Sequence, residues 1–154
     1  MLQDKKKLRQ DDEALGRSRG GYSTKVHVSV DALGNPRRVI LTAGQVHDLQ
    51  AAPTLIEGEA TEAVVADKAY DSDIFITLIE QLAAVVVIPP KANRVEQRCY
   101  DKNLYADRNK VERFFNRPAS RRVKHYRRLA TRYEKTARNY LAFWHMACSV
   151  VLTL

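Results

Sequence analysis

Val26, Val28 and Val30 alternate with Lys25, His27 and Ser29. A period of two marks a strand with one buried face, and it puts His27 on the exposed side. Asp31-Ala-Leu-Gly-Asn-Pro36 is turn chemistry, and Arg38–Thr42 reads as a second strand, so the two form a hairpin. Residues 48–58 read as a short helix closed by Gly58. The pattern then changes. Ala63-Val-Val-Ala66 is a short apolar run that ends at Asp67. Residues 72–82 set Phe75, Leu78, Ile79 and Leu82 on one helical face. Ala84–Ile88 is another apolar run, stopped by Pro89 and Pro90. Strand, helix and strand in this order predict a βαβ unit with parallel strands and a right-handed crossover. Residues 91–104 read as a basic loop and residues 105–117 as a helix ended by Pro118. Residues 133–153 predict a long helix with Tyr140, Trp144, Ala147, Val151 and Leu154 toward the core. The fold class that follows is α/β, with a mixed sheet flanked by helices.

Composition narrows the setting. A chain of 154 residues that is 45% hydrophobic suits one domain with a real core. Cys99 and Cys148 are too few for a disulfide framework or a four-cysteine zinc site. A reducing, cytoplasmic setting fits. The N-terminal residues hold no apolar signal segment, and the apolar stretch 140–154 is short for a membrane span. The expectation is a basic arm over residues 1–21, a domain over 22–154, and no membrane partner.

Charge is unevenly distributed. Residues 39–90 hold one basic and eight acidic side chains, whereas residues 91–154 hold sixteen basic and five acidic. A basic third of that density fits a phosphate backbone, where each Lys or Arg contact releases condensed counterions. A solvated helical surface is the ordinary alternative. Lys124, Arg127, Arg128 and Arg132 stand at the centre of this run, interleaved with Tyr126 and Tyr133, which can stack or donate hydrogen bonds.

Two acids stand out. Asp67 follows a buried apolar strand, the place where α/β sheets build sites. Its ordinary alternative is a helix N-cap, although Asp71 or Ser72 is better placed for that. On a helix, Tyr105, Arg108 and Glu112 share one face, and Arg108–Glu112 alone is an ordinary ion pair. Carboxylates from two elements can hold Mg²⁺ together with substrate phosphates. Two such ions about 3.5–4 Å apart serve phosphodiester chemistry, for which three acids are the more natural set. His47-Asp48 reads equally as a dyad or as a pair closing a loop, and His145 as structural.

Six consecutive blocks, LGRSRGGYSTKVHVSVDALGNP, LTAGQVHD, VVADKAYDSD, VIPPKANR, YADRNKVERFFNR and RRLATRYEKTARNYLAF, cover residues 14–153 nearly continuously. Together they resemble bacterial insertion-sequence transposases of the insertion sequence five family. These are DDE transposases with a ribonuclease-H-like fold. The resemblance implies Mg²⁺- or Mn²⁺-dependent cleavage of transposon ends, then strand transfer into target DNA. Asp67 matches the family's second catalytic aspartate and Glu112 its catalytic glutamate, both as metal ligands. Tyr105 and Arg108 match the Tyr-x2-Arg-x3-Glu signature. The implied partners are double-stranded DNA at transposon ends and target, with homo-oligomers or pairing with full-length transposase.

The chain departs from that pattern in three places. The family's first aspartate lies on a strand upstream of LGRSRGG, and residues 1–14 do not read as that strand. The domain is therefore expected to lack its first strand and one metal ligand. The signature's lysine comes after six intervening residues, where this chain has Ala119. The nearest such lysine is Lys124. A gap of seven turns a helix by about 700° and a gap of twelve by about 1200°, which places Lys124 on another face. Ala69 stands where the family usually has glycine. A non-catalytic, DNA-binding transposase fragment, acting as an inhibitor or surviving as a decayed remnant, is the alternative reading.

Overall fold

The computed structural model describes residues 13–18, 20–116, 129 and 131–153. These fall into two compact units. One combines the chain up to Val46 with the chain from Val111 onward, and the other is His47–Lys110.

The first unit is built on an antiparallel sheet in the order β1 (Gly16–Ser18), β2 (Gly21–Val30), β3 (Pro36–Ala43). β2 and β3 form the expected hairpin, with Val26 opposite Leu41 and Val28 opposite Val39. Asp31 builds the turn. Its Oδ1 accepts the N–H groups of Leu33 and Asn35 at 2.8 and 2.9 Å, and Gly34 takes the left-handed angle that the turn needs (φ 85°). Gly16–Ser18, which the sequence places in the arm, pairs with the start of β2.

The valine face of the hairpin packs on the C-terminal helix Ala137–Leu152. Tyr140, Trp144, Ala147, Cys148 and Val151 recur at helical spacing on that helix, and all are buried. Phe114 and Leu129 complete the core, and the predicted Leu154 lies outside the described residues. Trp144 meets Phe115 edge-on at 6.0 Å and Tyr140 at 6.4 Å. The helix begins at Ala137 because Thr136 caps it, its Oγ1 accepting the Asn139 N–H at 3.4 Å. Glu13 Oε2 accepts the Ala137 N–H at 2.6 Å, an anion at the positive helix end. His27 departs from expectation. It is buried, and its Nε2 shares a 2.7 Å hydrogen bond with Thr42 Oγ1. The polar face of the hairpin is thus also covered at this point.

The second unit contains the βαβ element. β4 (Ala63–Val65) and β5 (Val85–Val87) are parallel, in the register Ala63–Val85, Val64–Val86 and Val65–Val87. Helix Asp73–Gln81 joins them and buries Phe75, Ile76 and Ile79. Leu82, predicted on that face, is 37% exposed because the helix ends before it and Ala83 turns the chain at φ 54°. The short helix Ala52–Ile56 adds Ala52 and Ile56 to the core around Ile79 and Ile88. Among the described residues, the strands thus form a three-stranded antiparallel sheet and a separate two-stranded parallel one. No helix among them is long and apolar enough to cross a membrane.

Candidate active site

Asp67 sits two residues beyond β4, and the Ala66 N–H still bonds the Val87 carbonyl at 3.2 Å. The paired strands therefore carry the chain to the doorstep of the acid. Asp67 then starts a single 3₁₀ turn, Lys68–Tyr70. Its Oδ1 accepts the Ala69 N–H at 2.7 Å and its carbonyl accepts the Tyr70 N–H at 3.0 Å. The carboxylate thus caps this turn and is aimed by it, so the capping role weighed for Asp67 is present here, in the turn ahead of Ser72. Among the described non-glycine residues only Ala14 and Ala83 have left-handed backbone angles. Alanine at position 69 therefore costs no backbone strain.

A second 3₁₀ turn, Asp48–Gln50, packs on this one. His47 caps it, its Nδ1 accepting the Leu49 N–H at 3.4 Å, as expected of a residue closing a loop. Tyr70 is the last residue of the turn that Asp67 starts. Burial, then the carboxylates of Asp48 and Asp67, push its phenol up to about 12. At neutral pH it is a protonated donor beside two acids. Tyr70 is local to Asp67, but nothing in the local sequence pattern brings Asp48 to the same turn, because that approach is made by two turns from separate parts of the chain.

Asp71 closes the same segment. Its N–H bonds the Lys68 carbonyl at 3.2 Å. Its buried carboxylate accepts the Lys91 N–H at 2.8 Å, Arg94 Nε at 2.6 Å and Arg98 Nη2. Burial opposes ionisation, but the Lys91 amide and the two guanidiniums outweigh it and hold the carboxyl below its ordinary value.

The predicted helix 105–117 is broken into pieces. It runs as Lys102–Tyr105, a 3₁₀ turn Ala106–Arg108, and helix Asn109–Asn116. Asp101 starts the run by accepting the N–H groups of Asn103 and Leu104 at 2.7 and 3.1 Å, which explains its early beginning. Tyr105 and Arg108 meet, with the guanidinium 5.9 Å from the ring centre. Glu112 is exposed in the first turn of Asn109–Asn116, where the helix dipole favours an acid. Phe114 and Phe115 turn from it into the core. Asp67 belongs to the unit His47–Lys110 and Glu112 to the other unit.

Arg132 is engaged by its own fold. Its side chain is 9% exposed. Nη1 donates to the carbonyls of Glu13 and Ala14 at 2.7 and 3.2 Å and to Thr24 Oγ1 at 2.6 Å. Nε and Nη2 donate to the carbonyls of Glu134 and Lys135 at 3.0 and 3.2 Å. The Tyr140 ring lies 5.5 Å away. Lys124, Arg127 and Arg128 lie outside the described residues.

The sequence matches the family described as the transposase DDE domain over residues 4–152. The chain belongs to the DDE transposases. It is also 37% identical over 131 residues to a Brucella ovis protein that carries the name of a transposase for insertion sequence element IS6501. That alignment spans 84% of this chain and 97% of the relative. No solved structure shows significant similarity. The family's chemistry is DNA transposition, it generally uses divalent metal ions, and it acts on transposon ends. The mixed α/β architecture agrees with its ribonuclease-H-like fold. Among the described residues, no three His, Cys, Asp or Glu side chains gather into a group able to hold a metal.

Proposed function

We propose that this chain is the catalytic part of an insertion-sequence transposase of the insertion sequence five type. Asp67 and Glu112 are its reacting acids, and Tyr105 and Arg108 belong to the same catalytic signature as Glu112. The observation that carries this reading is the Asp67 carboxylate, fixed by Ala69 just past the carboxyl end of a half-buried parallel strand. Both acids are expected to act with Mg²⁺ or Mn²⁺. The reaction is hydrolysis of a phosphodiester at the transposon end, followed by attack of the freed 3′-hydroxyl on target DNA. Double-stranded DNA is held by the basic run around Lys124, Arg127 and Arg128. Arg132 supports that region through the fold, since backbone carbonyls take its donors. The catalytic domain, which takes in β1 at Gly16–Ser18 ahead of residues 22–154, works as an oligomer or with full-length transposase in the bacterial cytoplasm, on the nucleoid.

Strand cleavage of a labelled duplex carrying the element's own end, with Mg²⁺ or Mn²⁺, tests this. Cleavage that both Asp67→Ala and Glu112→Ala abolish supports the reading. No cleavage, with salt-sensitive binding retained, favours the second reading, a non-catalytic DNA-binding fragment. The strongly basic last third is the observation behind that alternative.

A further inference from the structure

A buried carboxylate persists only where partners offset its lost hydration. The Asp71 side chain has no solvent exposure, and its partners come from a single place. Lys91, Arg94 and Arg98 all lie in the loop after β5, and Lys91 Nζ also donates to the Asp71 carbonyl at 3.0 Å. That loop is braced internally. The Arg94 N–H bonds the Lys91 carbonyl at 3.0 Å, and Gln97 Nε2 reaches the carbonyls of Lys91 and Arg94 at 3.1 Å each. Arg94 Nη1 continues to Asp73 Oδ1 at 2.6 Å, so one guanidinium spans the end of the turn and the start of the next helix.

Helix capping does not explain this cluster. Ser72 is the N-cap of Asp73–Gln81, and its side chain makes no capping bond. The geometry explains something else. The segment from Asp67 to Asp71 is one tight turn, held at its first end by β4 and at its far end by the Asp71 cluster. Within it, Ala69 and Tyr70 donate to Asp67, and Asp71 donates to Lys68.

We propose that Asp71 is a positioning residue for Asp67. With Arg94 and Arg98 it clamps the far end of the turn that aims the Asp67 carboxylate, and it couples that aim to the loop after β5. This rests on reading Asp67 as a reacting acid.

Amide hydrogen exchange in the full chain, followed by NMR, tests the coupling in Asp71→Asn. The carboxamide NH₂ would face donors in place of an acceptor oxygen. The Ala69 and Tyr70 amides should exchange about tenfold faster, the loss of one charge-assisted hydrogen bond from local opening. The amides of Val85 and Tyr140 should stay within about twofold of the parent. An equal acceleration of all amides would make the cluster a general stabiliser and overturn the proposal. No change at Ala69 would overturn it as well. If Asp71→Asn does not fold, Arg94→Gln, at a partly exposed side chain, carries the same test with the same two refuting outcomes. Strand cleavage by Asp67→Asn separates the two layers. Unchanged cleavage removes the catalytic reading of Asp67, and the positioning role with it. Abolished cleavage with no loosening of Ala69 in Asp71→Asn removes the coupling alone.

Discussion

Replacing Arg132 with methionine keeps most of the buried stem and removes every donor. The magnitude follows from the acceptors left behind. Five hydrogen bonds disappear, to the carbonyls of Glu13, Ala14, Glu134 and Lys135 and to Thr24 Oγ1. They do not count equally. The Ala14 carbonyl keeps the Thr24 hydroxyl as a donor at 2.6 Å, and Lys135 is exposed and can turn to water. The part-buried Glu13 carbonyl carries most of the loss, and the Thr24 hydroxyl, which still donates to Ala14, loses only its incoming donor. Hydrogen bonds to a charged group are worth about 1.5–3 kcal/mol each, and with water replacing some of the lost donors the total is about 3 kcal/mol. With a urea slope near 2 kcal/mol per molar, the unfolding midpoint should fall by about 1.5 M. The same protein settles the DNA question. A lost phosphate contact lowers the slope of log affinity against log salt by about 0.9. Arg132→Met should leave that slope unchanged, whereas Arg127→Ala should lower it by about 0.9. A variant with a parental urea midpoint and a reduced salt slope would show that the clamp described here is not the residue's role.

Phe114 is 1% exposed, and Phe114→Ala should cost about 3–5 kcal/mol in denaturant titration; a loss below 1 kcal/mol would remove it from the core. Asp71 is held below its ordinary value of 3.8, so its stabilisation is complete above that pH and drains away as pH falls through the lower, folded-state value. Urea midpoints between pH 6 and pH 3 should therefore fall less steeply in Asp71→Asn than in the parent, and equal slopes would contradict the linkage. Cys99 is exposed, while burial pushes the Cys148 thiol up to about 11. A thiol reagent at neutral pH should modify Cys99 first and reach Cys148 only on unfolding, as peptide mapping would show.

Local periodicity revealed much of the frame. The valine alternation of β2, the parallel pair around Phe75 and Ile79, and the Tyr140–Val151 stripe are all present, because one buried face per element imposes its period directly. That Asp67 stands just past the end of a strand follows for the same reason, since the apolar run stops there. What escaped depends on contacts distant in sequence. His27 follows the polar phase of its strand, yet it is buried against Thr42. Residues 91–98 read only as a basic loop, because nothing local reveals that Arg94 and Arg98 converge on Asp71. The break at Ala106–Arg108 escaped because a 3₁₀ turn differs from an α-turn by a fraction of a residue. Arg132 looked like its basic neighbours, and only the fold shows its donors turned inward.

The division of the chain has a consequence during synthesis. The unit His47–Lys110 is continuous in sequence, and the core around Ile79 and Ile88 is complete once β5 has been added. The hairpin β2–β3 is made earlier and must wait, because the helix that covers it, Ala137–Leu152, follows the whole of the middle unit in the chain. Residues 111–154 take roughly 2–9 s to add at about 5–20 residues per second. Throughout that interval Val26, Val28, Val30, Val39 and Leu41 lack the surface on which they finally pack. The nascent chain therefore carries a finished middle and an uncovered beginning, and ribosomes stalled between Lys110 and Ala137 should display the species most prone to chaperone capture.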